Sequence, residues 1–196
     1  MEQHNQEQKK IHWHKKSLMR LYSLWEHLYH KMHGLKPRHE RDLILFRIKE
    51  YKGEPLSLTD GTLLQEGDLI LDLHFNNDLL IQTSIESKNT MHMITTLLHM
   101  MKATFKRMRS YMSEPEYEKV KALYGVSLFH RGAKQFGFDV LDLPKGGNSG
   151  FQRFYLRLLL TIMHPNGRQR LQSHSSMLSP KILAVSRTHF LENEKN

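Results

Sequence analysis

Three groups of side chains in this sequence are of the types that do acid–base or anion chemistry. The first is Asp72-Leu73-His74. Two residues apart on an extended strand, a carboxylate and an imidazole project from the same side. A carboxylate beside an imidazole orients the ring and raises its basicity, which suits general acid–base work. Asn76 stands two residues further on. The bland alternative is a surface pair on the solvent side of a sheet. The second group is His130, Arg131 and Asp142, with His164 and Arg168 beyond them. If the strands expected at 124–129 and 138–143 pair in parallel, their carboxyl ends meet at one sheet edge. Open α/β sheets place ligands there, and His130, Arg131, Asp142 and Arg168 would line a pocket for an anionic or sugar-like ligand. The alternative is a structural ion pair between Arg131 and Asp142. The third group is Glu26, His27, His30 and His33. Helical zinc pairs sit four residues apart in HExxH, whereas this pattern is EHxxH with three-residue steps, so no metal site is expected.

Several reaction classes lack their residues. The chain has no cysteine, which removes disulfides, thiolate metal sites and cysteine nucleophiles. GxxxxGK[ST], GxGxxG and GxSxG are all missing. The segment Pro144-Lys145-Gly146-Gly147-Asn148-Ser149-Gly150 precedes a helical pattern and could offer free N–H groups to an anion, but it reads better as a connector. No cofactor is expected, and the balance leans away from an enzyme. The candidates for acid–base catalysis, should there be any, are His74, His130 and Asp142. Asn76, Arg131, His164 and Arg168 are the candidates for ligand binding.

The net charge of +9 is unevenly spread. Residues 1–41 and 102–196 are basic, and residues 42–101 are acidic. Such asymmetry reads first as a solvated surface that favours solubility, and otherwise as the mark of an anionic partner docking away from Asn76-Asn77. Arg153, Arg157, Arg168 and Arg170 could touch phosphates, yet no base-reading signature accompanies them, so nucleic acid is a disfavoured partner. The longest nearly apolar stretch, residues 158–163, is far below the roughly 20 residues that cross a bilayer. The polar N-terminus lacks the apolar core of a secretory signal. A cytoplasmic protein is expected.

These side chains must be held by a single α+β domain over residues 11–190, with disordered tails at 1–10 and 191–196. Leu18, Leu21, Tyr22, Trp25, Leu28, Tyr29 and Met32 form one helical stripe over 11–33, stopped by Gly34 and Pro37. Strands are expected at 43–51, at 56–58 and, by strict alternation, at 69–75. Asn76-Asn77-Asp78 reads as a hairpin turn that sends residues 79–85 back antiparallel. A long helix follows over 89–112. Its stripe of Met91, Ile94, Leu98, Met101, Phe105, Met108 and Met112 reads as core rather than as an adaptable partner groove. A helix from 113 or 114 to 123, a short helical link at 131–136, a helix from 148 or 149 to 164 and a last strand at 181–185 complete the order.

Three blocks carry a resemblance: LFRIKEYKGEPLSLTDGTLLQEGDLILDLHFNN, YGVSLFHRGAKQFGFDVLDLPKG and RLLLTIMHPNGRQRL. Over about residues 15–190 the chain resembles the YkoP-like domain of spore-forming Gram-positive bacteria. That domain stands alone or beside polysaccharide deacetylase modules. The resemblance implies an accessory or interaction role near cell-envelope glycans, with a glycan, or a protein of envelope metabolism, as partner. It does not imply deacetylation, because the chain has neither TFDDGP nor HxxxH. The matched blocks contain the polar positions Asp60, His74, Asn76, His130, Arg131, Asp142, His164 and Arg168.

Overall fold

A computed structural model describes residue 35 and residues 38–127, 130, 132–144 and 180–193. The histidine-bearing segment 11–33, the segment 148–164, Arg131, His164 and Arg168 lie outside the described residues. The architecture is α+β, built on one mixed sheet of five strands in the order β1-β4-β5-β7-β6. β1 (Ile44–Glu50) pairs antiparallel with β4 (Leu69–Phe75). β4 is parallel to β5 (Ala122–Ser127). β7 (Lys181–Ser186) runs antiparallel to both β5 and the edge strand β6 (Asp139–Asp142). A two-stranded ribbon, β2 (Leu56–Ser57) and β3 (Leu63–Leu64), forms separately.

Parallel neighbours cannot be joined by a tight hairpin and need a crossover. Residues 76–121 supply it, and this overturns the expected return strand at 79–85. The segment is helix α1 (Asn77–Glu86). Its residues are β-prone, but Asn76 acts as an N-cap instead of a turn residue: its side-chain oxygen accepts from the Leu79 N–H at 3.2 Å. Asp78 lies in the first turn, where the helix dipole favours an anion. Helix α2 (Thr90–Met112) follows, capped by Asn89, close to the expected span.

The alternation in β4 sorts the sheet into two faces. Leu71 and Leu73, with Ile44, Leu123 and Val185, pack under Phe105, Met108 and Met112 of α2. On the other face Ile70, Ala122, Ile182 and Ala184 pack with Tyr51, Leu58 and Leu64, so the ribbon roofs that side. Each fully buried leucine contributes about 2 kcal/mol. The methionine-rich stripe is therefore core only in its C-terminal half; Met91, Ile94 and Leu98 remain exposed.

Three further expectations shift. The helix expected to reach 123 is a single 3-10 turn, Pro115–Tyr117, and the next strand starts at Ala122 rather than 124. Register decides this: Lys121 N–H donates to the Leu69 carbonyl at 2.8 Å, and Leu123 must lie beside Leu71 in the core. The strands expected to pair in parallel, now β5 and β6, point the same way but have β7 between them. Finally, β7 leads into helix α3 (Arg187–Glu192). Ser186 caps it, accepting from His189 N–H at 3.0 Å, and fully buried Phe190 anchors it beside Phe105 and Phe138. Leu191 packs on the same core, so the domain extends past residue 190.

Candidate functional site

The polar side of β4 holds the chemistry. Strand alternation puts Asp72 and His74 on the ribbon face, and antiparallel register sets Arg47 of β1 opposite Asp72. Lys49, two residues along β1, shares that face. One carboxylate oxygen, Asp72 Oδ2, collects all three partners. Arg47 donates from Nε and Nη2, each at 3.2 Å, His74 Nε2 lies at 3.1 Å and Lys49 Nζ at 3.5 Å. The Asp72 side chain is only 9% exposed, against 25% for Arg47 and His74 and 45% for Lys49. The carboxylate is thus the floor of the cluster and the cations are its rim.

Burial alone would raise the Asp72 pKa. The His74 hydrogen bond and the charges of His74, Lys49 and Arg47 outweigh it and hold the carboxyl below its ordinary range. On the β5 side Tyr124 stands in register with Asp72, its ring 5.6 Å from Tyr51. Burial, helped by Tyr51 and by Asp72, pushes the Tyr124 hydroxyl up to about 12. It therefore stays protonated at neutral pH and can only donate or accept hydrogen bonds. Asp72 is likewise unsuited to be a general base, because its lone pairs already face cations. What the cluster offers is positive charge: two cations surround one anion, with the imidazole beside them. Although residues 42–101 are acidic as a whole, the strand register concentrates their Arg47 and Lys49 at this one point.

The other candidates fall elsewhere. Asp142 projects from the opposite face of the sheet, 86% exposed, and forms an ion pair with Lys181 that lowers its pKa. His130 follows β5, half-buried, with its carbonyl accepting from Ala133 N–H at 3.1 Å. Because β4, β5 and β6 point the same way, His74, His130 and Asp142 all lie toward one end of the sheet. They do not form one constellation, since His74 and Asp142 occupy opposite faces. β5 and β6 are also two strand spacings apart, about 10 Å. Asn76 is structural: besides capping α1 it donates from Nδ2 to the Asp42 carbonyl at 3.3 Å.

Asp60 belongs to a cluster that sequence reasoning did not find. Its carboxylate accepts from Ser186 Oγ and from Thr62 N–H at 3.0 Å. Burial opposes its ionisation, but these bonds and the nearby His189 lower its pKa. Ser, His and Asp gather here without nucleophilic geometry. Ser186 is 3% exposed, donates to the carboxylate and accepts from a backbone N–H. The cluster pins the ribbon to the start of α3. The spacing of Ser186 three residues before His189 is the legible N-cap signal. Arg47 and Lys49 share a face by their period-two spacing, but only the strand register sets that face against Asp72.

Among the described residues no group of three or more histidines, aspartates or glutamates could hold a metal ion. Among the same residues no helix is long and apolar enough to cross a membrane.

The fold and this face define a small α+β domain with a cation-rimmed carboxylate on a mixed sheet. Residues 15–194 match the YkoP domain, and the chain belongs to that family. It is similar to a protein of Bacillus subtilis (strain 168) named Uncharacterized protein YkoP, with 22% identity over 103 residues. That match covers 52% of this chain and 56% of the Bacillus protein, so the alignment spans about half of each. No solved structure matches.

Proposed function

We propose that this YkoP domain is a non-catalytic accessory module that binds an anionic or glycan ligand on the Arg47–Lys49–His74 rim, in the service of cell-envelope polysaccharide metabolism. The observation that carries the reading is the Asp72 floor. A buried carboxylate there gathers the two strand-borne cations and the imidazole on one oxygen, and the rim keeps a surplus of positive charge. Such a rim suits phosphate, carboxylate or sulfate groups, drawn by charge while the Arg47 Nε and Nη2 donors stay on Asp72. The link to envelope polysaccharides rests on the resemblance to domains that accompany polysaccharide deacetylases.

Catalysis is the weaker reading. Its acid–base candidates His74 and Asp142 lie on opposite faces, and Asp72 is committed to its cations. The test is an array of neutral, N-acetylated, uronate-containing and phosphorylated oligosaccharides, with turnover followed in parallel. Retention of the anionic members without turnover is expected. Turnover with no retention would sink the proposal.

A further inference from the structure

The corner between α1 and α2 has no role in the site above, yet it is the most apolar exposed part of the described surface. Ile85, in the last turn of α1, is 69% exposed and Met91, in the first turn of α2, is 71% exposed. Lys88 sits between them on the connecting turn, also exposed. Ile94 and Leu98 extend the same stripe along α2 at 45% and 38% exposure. Exposed Lys102 and Lys106, with His92 and His99, flank that stripe. From Ser87 to Ser113 the sequence has no acidic residue. Glu86, at the margin, is engaged by Gln82 at 2.8 Å. Arg107 and Arg109 of the same helix are turned inward, to Asp42 and to the Phe190 carbonyl. The outward charge is therefore carried by the lysines.

Protruding aliphatic side chains beside lysines, with Glu86 the single carboxylate between residues 85 and 113, are the features of helices that lie in a membrane interface. We propose that the α1–α2 corner docks this protein onto an anionic lipid surface. Ile85 and Met91 enter the acyl boundary, and Lys88, Lys102 and Lys106 contact the headgroups. Two observations favour lipid over other occupants. Pairing of the face with a second copy would bring like-charged lysines together. The apolar groups also protrude, 69% and 71% exposed, at the turn between two helices, so they fit a deformable surface better than a folded partner.

Flotation of the full chain with vesicles of phosphatidylcholine, with and without phosphatidylserine, tests this. Binding is expected only with phosphatidylserine, and it should fall as salt rises. Removing Lys88 or Lys102 (K88A, K102A) should weaken it about five-fold each. The double change Ile85→Ser, Met91→Ser should abolish it while leaving thermal stability unaltered, because both side chains are exposed. The Arg47→Ala, Lys49→Ala protein should float like wild type, which separates this proposal from the ligand rim. Equal binding to neutral vesicles would overturn it. So would capture of polyglutamate with no flotation, or a dimer dispersed by the Ile85/Met91 change with no flotation.

Discussion

Replacing Asp72 by asparagine should move stability and anion affinity in opposite directions. The side chain is nearly isosteric, so packing is kept, but the charge that gathers Arg47, Lys49 and His74 is lost. Hydrogen bonds to charged groups contribute about 1.5–3 kcal/mol and neutral ones about 1. The rim cations are partly solvated, which discounts the gain. A net loss of about 1 kcal/mol follows, lowering Tm by about 2–4 °C for a chain of this size. The carboxyl is held below its ordinary value in the fold. Its contribution is therefore complete above the unfolded value of about 4 and is lost as pH falls through the folded value. The gap between wild type and D72N should be flat at neutral pH and close in acid. Affinity runs the other way. An anion on the rim would lie about 6 Å from Asp72, and at an effective dielectric near 60 the removed repulsion is about 1 kcal/mol, or roughly five-fold tighter binding. Thermal melts from pH 3 to 7 and calorimetric titration with a phosphorylated oligosaccharide read both effects. A D72N protein that binds the anion more weakly would refute the reasoning, as would a stability gap that widens in acid.

Asn76→Ala removes the α1 cap and the bond to the Asp42 carbonyl; chemical denaturation should show a loss of about 1–2 kcal/mol with an unchanged m-value. Gly137→Ala should cost more than about 1 kcal/mol by the same assay, because Gly137 has φ 83° and a Cβ there would run into the Asn193 side-chain amide. Asp142→Ala, on the far face, should leave anion affinity unchanged in the calorimetric titration.

The sequence carried the sheet best where one face had to be buried. The Leu69-Leu71-Leu73-Phe75 alternation located β4 without error and already placed Asp72 beside His74. It failed at 79–85, where local β-propensity met an Asn that can either turn a hairpin or cap a helix. Only the need for a crossover between parallel β4 and β5 chooses between the two, and that pairing is not local information. The same limit hid Arg47. Nothing along the chain brings residue 47 to residue 72, a separation of 25, until β1 is known to lie on β4. The neighbours of β5 and β6 were out of reach likewise, because the insertion of β7 between them is set by residues far downstream of both.

The central claim is that the rim on β1 and β4 binds anions. Its most direct measurement is the nitrogen NMR spectrum of the Arg47 guanidinium and His74 imidazole during titration with a phosphorylated oligosaccharide, in wild type and in the Arg47→Ala, Lys49→Ala protein. Saturable shifts of both groups are expected in wild type, with at least ten-fold weaker binding in the double variant. Wild-type binding that leaves both side chains unshifted, or equal affinity in the variant, would contradict it.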